Sequence, residues 1–261
     1  MKPITLVTGA SAGIGAELAR VFAGHGHELV LVARREGKLT ALADEIAAAG
    51  GQRPTVLSMD LARRDAIPAL ATELAARGLE PEIIVNNAGF GLVGRAARLN
   101  RDEQLAMIDL NIRALTELSL TFVDSLARHR GGILNVASVA AFSPGPGMAV
   151  YYASKAYVLS LSEALHQEYG RRGIRVTALC PGLVPTEFQQ RAGLHDGRSQ
   201  MLLSLSAERV ARIGYDGLMR GKRVVVAGFG NRVAVFLIRR IPHALLLPLV
   251  YVGTRWAERH S

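Results

Sequence analysis

The sequence predicts an α/β fold: a doubly wound, seven-stranded parallel sheet flanked by helices, in a single domain that ends in an apolar helical tail. Three observations predict it. Seven short runs are almost continuously apolar, as strands covered on both faces must be: residues 4–7, 29–33, 55–58, 83–86, 132–137, 175–180 and 224–227. Amphipathic stretches of helical period separate them, at 16–25, 38–49, 66–77, 103–128 and 153–171. No internal repeat, low-complexity tract or linker rich in Pro or Ser divides the chain.

Composition narrows the function classes. With 261 residues, 49% hydrophobic and 20% charged, the chain holds a full core and is neither disordered nor fibrous. A net charge of +9 favours anionic partners: nucleic acid, anionic lipid or a phosphorylated cofactor. The basic residues are mostly scattered arginines and aromatics are only 5%, so nucleic acid is not an expected partner. The lone Cys180, in an apolar run, reads as an inert buried thiol, and no cysteine metal cluster is available. No secretory signal opens the chain, which predicts a cytoplasmic protein.

Taken in order, the strand ends carry the chemistry. The first strand runs into Thr8-Gly9-Ala10-Ser11-Ala12-Gly13-Ile14-Gly15 and then a helix. Glycines there let the backbone approach a pyrophosphate, and the helix N-terminus offers free N–H groups. The second strand ends in Ala33-Arg34-Arg35, with Arg34 where an acid would otherwise hold a ribose 2′-hydroxyl. A guanidinium suits a 2′-phosphate instead, so NADP(H) is favoured over NAD(H). Asp60-Leu61 follows the third strand; Asp60 is read as a partner for an adenine amino group, as a cap of the next helix, or as both. The fourth strand ends in Asn86-Asn87-Ala88-Gly89, suited to a wall against a flat ligand or to a plain turn.

Asn111 falls inside a helical stretch, where Asn is a poor residue: it either holds a local bend with a lodged water or is simply exposed. Ser138, just past the fifth strand, could orient a substrate oxygen or cap a turn. Tyr151 and Lys155 are four apart and share one helix face. An ammonium beside a phenol lowers its pKa and lets the pair exchange a proton with a carbonyl or alcohol oxygen, although the same spacing also occurs on plain surface helices.

The order and spacing of these pieces, with Pro181-Gly182 and Thr186 after the sixth strand, resemble the short-chain dehydrogenase/reductase family from Ile4 to about Gly230. The resemblance implies a Rossmann-type oxidoreductase acting on CH–OH donors with NADP as acceptor. By that resemblance Tyr151 is the general acid of carbonyl reduction and the base of the reverse step. Lys155 binds the nicotinamide ribose and depresses the Tyr151 pKa, Ser138 holds the substrate oxygen, and Asn111 supports a water linking Lys155 to solvent. The segment from Pro181 through Gly182 to Thr186 flanks the nicotinamide, with the Val184 backbone and the Thr186 hydroxyl near its carboxamide. One departure is Ala12, where many NADP-preferring relatives carry a basic residue; Arg34, helped by Arg35 and Lys38, must then carry the 2′-phosphate preference.

The expected organisation is a dinucleotide-binding and catalytic domain at 1–230, with a substrate lid at about 185–206, and an apolar, basic helical extension at 231–261. Apolar residues in 140–150 and at Met201 to Leu205 predict an apolar carbonyl or alcohol substrate, steroid-like or acyl-chain in kind. Neither half of the extension reaches the ~20 apolar residues that span a bilayer. Three readings of it stand: packing on its own domain, packing in a homo-oligomer, or peripheral membrane contact with arginines at headgroups. Rival functions are a catalytically silent NADP(H)-sensing binding protein and a membrane-associated interaction protein built on the tail.

Overall fold

A computed structural model describes residues 1–192 and 204–242, together with 244, 247 and 248. Its strands are β1 (Lys2–Thr8), β2 (Leu29–Ala33), β3 (Thr55–Ser58), β4 (Leu79–Asn86), β5 (Gly132–Val136), β6 (Arg175–Cys180) and β7 (Val224–Val226). They form one sheet in the order β3-β2-β1-β4-β5-β6-β7, with every neighbouring pair parallel. The chain steps outward from β1 to β3, returns to place β4 beside β1, and steps outward the other way. Loops leaving β1 and β4 therefore diverge, and the crevice between them is where such sheets bind ligands.

The helices are α1 (Gly13–Gly24), α2 (Glu36–Ala48), α3 (Ala66–Ala76), α4 (Arg101–Ile108), α5 (Leu115–Thr121), α6 (Val123–Arg128), α7 (Ala149–Gly170), α8 (Glu187–Ala192), α9 (Ala207–Met219) and α10 (Phe229–Ile238). Phe22, Leu39, Val210 and Tyr215 pack with Val7 and Leu31 on one face of the sheet. Ile67, Leu70 and Leu118 meet Leu6 and Val30 on the other. Adjacent residues of β1 thus face opposite layers, which is why the strand reads as unbroken apolar sequence.

The single helix expected over 103–128 is broken. A π-helical turn, Asp109–Ala114, separates α4 from α5, and Phe122 separates α5 from α6. The hydroxyls of Thr116, Ser119 and Thr121 donate to the carbonyls of Ile112, Leu115 and Glu117, at 2.7, 2.7 and 2.8 Å. Such bonds to the carbonyl four residues back bend helices. A row of buried amides and hydroxyls then ties the layers: Asn86 Nδ2 donates to Ser119 Oγ (3.1 Å) and Asn135 Oδ1 (2.8 Å), and Asn135 Nδ2 donates to Ser162 Oγ (2.9 Å).

Of the apolar lid stretch, Met201 to Leu203 lie outside the described residues, while Leu205 packs on the core beside Gly228. The extension's first helix, α10, buries Asn231 and Val235 but leaves Phe229, Val233, Phe236 and Leu237 exposed. One side of α10 thus packs on the domain and the other stays open, while most of the expected extension lies outside the described residues. Among the described residues no helix is long and apolar enough to cross a membrane.

Candidate active site

The predicted site residues gather along the C-terminal edge of the sheet. On the nucleotide side, Gly9 and Gly13 take positive φ values of 65° and 56°, which L side chains rarely adopt. The turn is held to the neighbouring strand by Thr8, whose hydroxyl donates to Val85 O and accepts from the N–H groups of Asn87 and Ala88. Asn87 Nδ2 donates back to the carbonyls of Thr8 and Gly9. A Cβ at Gly15 would stand 2.3 Å from that amide nitrogen, so only glycine fits.

The residues present fit a dinucleotide's phosphates. Helix α1 starts from an extended Ala12, no side chain caps its first N–H groups, and its first turn, with Ile14 and Gly15, holds no acid. A helix start left open in this way favours an anion. Beside it opens a cleft of about 490 Å³, lined by Ser11, Gly13, Lys38 and Thr186 among others. Thr186 closes directly over Gly13, where an added Cβ would meet its methyl group at 3.0 Å. Val184 is buried, Pro181 O accepts from Val139 N, and Gly182 is covered by Asn231.

Three basic residues behave differently from one another. Arg34 is exposed, and among the described residues no acid pairs with its guanidinium. Arg35 donates to Ser11 Oγ and to Glu187 Oε2, the latter at 2.7 Å. Lys38 Nζ donates to Glu187 Oε1. These contacts, Lys38 first, hold the Glu187 carboxyl below the usual carboxylate range. Glu187 was not among the expected site residues, although an acid next to Thr186 and opposite a basic cluster is a readable signal.

Asp60 does not cap the following helix, as one reading expected: α3 begins at Ala66, and Asp60 Oδ1 instead accepts from Ala62 N. Its neighbour Leu61 is buried in the core.

On the chemical side, Asn111 is turned inward by the π-helical turn and is neither exposed nor bonded to its own helix. Its Oδ1 accepts from Phe90 N, and its Nδ2 donates to Phe90 O and Ser154 Oγ. It thereby pins the loop after β4 to α7. Gly89 sits between it and Lys155: a Cβ there would lie 2.9 Å from Asn111 Oδ1 and 3.6 Å from Lys155 Nζ. Lys155 Nζ donates to Val136 O at 2.8 Å and lies 5.9 Å from the centre of the Tyr151 ring.

Burial dominates the ionisation of this cluster. It pushes the Tyr151 phenol up to about 12, against a hydrogen bond with Ser138 that pulls the other way. It pushes Lys155 down to about 8 and the neighbouring Cys180 thiol up to about 12. The expectation from sequence was a lowered Tyr151; helical spacing registers the ammonium nearby but not the removal of water from both groups. Ser138 Oγ also accepts from Ala140 N, opening the short 3-10 turn Val139–Phe142.

Around the Tyr151 ring the surface is apolar. Phe90, Met107 and Ala140 surround it, and the Phe188 ring of α8 stands 5.5 Å away. Gly91 leaves room for both rings, since a Cβ there would meet each at 3.1 Å. Phe188 carried no sequence signal beyond its place in the expected lid.

A family model described as short chain dehydrogenase matches residues 3–196. The sulfoacetaldehyde reductase 2 of Chromohalobacter salexigens is 37% identical over 226 residues, 82% of this chain and 87% of that protein. The structure of a short-chain dehydrogenase from Sphingobium yanoikuyae in complex with NADPH superposes with a TM-score of 0.79 at 32% identity, covering 94% of this chain and 98% of that one. A bulky-bulky ketone specific alcohol dehydrogenase from Comamonas testosteroni has a TM-score of 0.75 at 28% identity, covering 94% and 96%.

Proposed function

Because the chain belongs to the short-chain dehydrogenase family and is an oxidoreductase, we propose that it interconverts a ketone or aldehyde and a secondary alcohol with NADP(H), using Tyr151 as general acid and base. The observation that carries this reading is the buried cluster of Ser138, Tyr151, Lys155 and Asn111 at the sheet edge. A phenol held near 12 keeps its proton at neutral pH, which suits an acid that protonates a developing alkoxide. Ser138 holds the substrate oxygen within reach of that phenol. Lys155 is to bind the nicotinamide ribose, a role implied by resemblance, and Asn111 keeps the loop beside it in place, with the water relay, likewise implied, as its further role. The cofactor, when bound, supplies or accepts the hydride. The intact set of polar groups argues against a silent NADP(H)-sensing protein.

The apolar surroundings of Tyr151 support an apolar substrate, steroid-like or acyl-chain in kind. The relatives' names range from a small anionic aldehyde to bulky ketones, so the reaction class is common to them and the substrate is not. A panel of ketones, aldehydes and secondary alcohols, followed by NADPH absorbance with both cofactors, tests the reading; turnover of none of them overturns it. A homo-oligomer is supported by Leu105, Ile108, Leu120 and Tyr157, exposed on α4, α5 and α7. A cytoplasmic location, where reduced nucleotide is available, belongs to the same reading.

The preference for NADP(H) rests on Arg34 with Arg35 and Lys38. Arg34→Asp is expected to weaken NADP(H) far more than NAD(H) in fluorescence titrations; equal losses overturn the assignment. Glu187 competes with a 2′-phosphate for Arg35 and Lys38. Exposed ion pairs are worth about 0–1 kcal/mol, so Glu187→Gln should tighten NADP(H) by up to roughly fivefold, with NAD(H) nearly unchanged. Weaker NADP(H) binding in that variant shows that Glu187 closes over the cofactor instead.

A further inference from the structure

We propose that α10 is an interfacial docking helix that seats the protein on an anionic phospholipid bilayer. Phe229, Val233, Phe236 and Leu237 follow one another at helical spacing and form a single face. All four are exposed, Phe229 to 75% and Phe236 and Leu237 to just over half. Ile241, just beyond the helix, extends the row. The opposite side is fixed to the domain: Val235 is buried, and Asn231 donates to Ala227 O while covering Gly182.

The charges choose the occupant. Arg232 and Arg240 lie over two rings of the row, Phe229 at 5.8 Å and Phe236 at 3.4 Å, and Arg239 follows at the end of the helix. No Asp or Glu occurs between Asp216 and Glu258. A two-fold contact between copies brings the same patch against itself, so the arginines of both helices would meet with no acid nearby. The apolar residues exposed on α4, α5 and α7 offer subunit packing elsewhere. Lipid phosphates, in contrast, satisfy the arginines while the aromatic and aliphatic side chains enter the boundary between headgroups and acyl chains. At ten residues the helix lies in that plane and does not cross it. Helix α10 also packs on the 3-10 turn after Ser138, where Arg239 lies 5.9 Å from the Phe142 ring, so docking holds the substrate end of the crevice near the bilayer.

The test is sedimentation of the full-length protein with vesicles of phosphatidylcholine alone or of equal parts phosphatidylcholine and phosphatidylglycerol. The expected result is pelleting with the anionic vesicles only, released by raised salt. Phe229→Glu with Phe236→Glu, leaving residues 242–261 intact, should weaken it at least about tenfold without lowering the melting temperature. If that variant unfolds, Phe236→Trp in a Trp256→Phe background serves instead, with a blue-shifted emission on adding anionic vesicles as the expected signal. Failure of the parent protein to pellet overturns the proposal. So does undiminished binding by a folded double-Glu variant, which assigns the contact to the chain beyond Ile241. A drop in mass by light scattering in that variant, with no vesicle binding by the parent, assigns the face to a second copy and overturns it equally.

Discussion

Replacing Tyr151 by phenylalanine is expected to lower turnover by about 10²- to 10⁴-fold, the range a positioned proton donor contributes. The phenyl ring keeps the contacts with Phe188 and Gly91, so the melting temperature and the affinity for NADPH should stay close to those of the parent. NADPH absorbance with a water-soluble ketone measures the first, and fluorescence titration the second. Turnover retained within tenfold removes Tyr151 from its role. The pH dependence is a companion to this. With the phenol at about 12, reduction loses no acid through the neutral range, whereas oxidation needs the phenolate and should climb steadily with pH.

Lys155→Met is expected to lose turnover by a comparable factor and yet to make the protein more stable at pH 7. The fall of the lysine from 10.5 to about 8 is worth roughly 3 kcal/mol of burial penalty. Losing the bond to Val136 O offsets about 1 kcal/mol of that. The sign follows from the proton count. Between pH 8 and 10.5 the unfolded chain holds a proton that the folded one has shed, so the parent's stability rises with pH there. The gain from Met is therefore full below pH 8, shrinks above it, and vanishes past 10.5. Denaturant melts at pH 7 and pH 10 read the difference. A variant less stable than the parent at both shows that the ammonium is held by more than that one carbonyl. Gain of stability with loss of activity is the usual signature of a group buried for function.

Much of this was legible in the sequence. The seven strands are apolar on both faces and punctuated by glycine and polar ends, so short continuous apolar runs between helical stretches locate them. Asn111 could be picked out because Asn is a poor residue inside a helix, whereas Tyr151, Lys155 and Ser138 stood out only through their joint order and spacing with it and with the glycine turn. What sequence spacing could not register is depth and closure. It does not report that Tyr151 and Lys155 are cut off from water, which reverses the direction of the tyrosine shift. Nor does it report that Asn111 is bonded to Phe90, 21 residues earlier in the chain. Hydroxyl bonds to carbonyls one turn back, invisible to hydrophobic period, divided the expected long helix. Glu187 and Phe188 belong to contacts made across the crevice, and only the folded chain brings their partners together.

The row of amides and hydroxyls from Ser119 through Asn86 and Asn135 to Ser162 has a further meaning. Hydrogen bonds have direction, and a helix that slid along the sheet would strand them without water. The four elements they join are thereby locked in register, and α7, which carries Tyr151 and Lys155, is one of them. Helix α8, over the crevice, is held instead by the exposed ion pairs of Glu187 with Arg35 and Lys38. Mutation can reshape that segment, and with it the choice of substrate, while the reacting groups stay where they are. The molecule is built so that its specificity can drift without its chemistry being rebuilt.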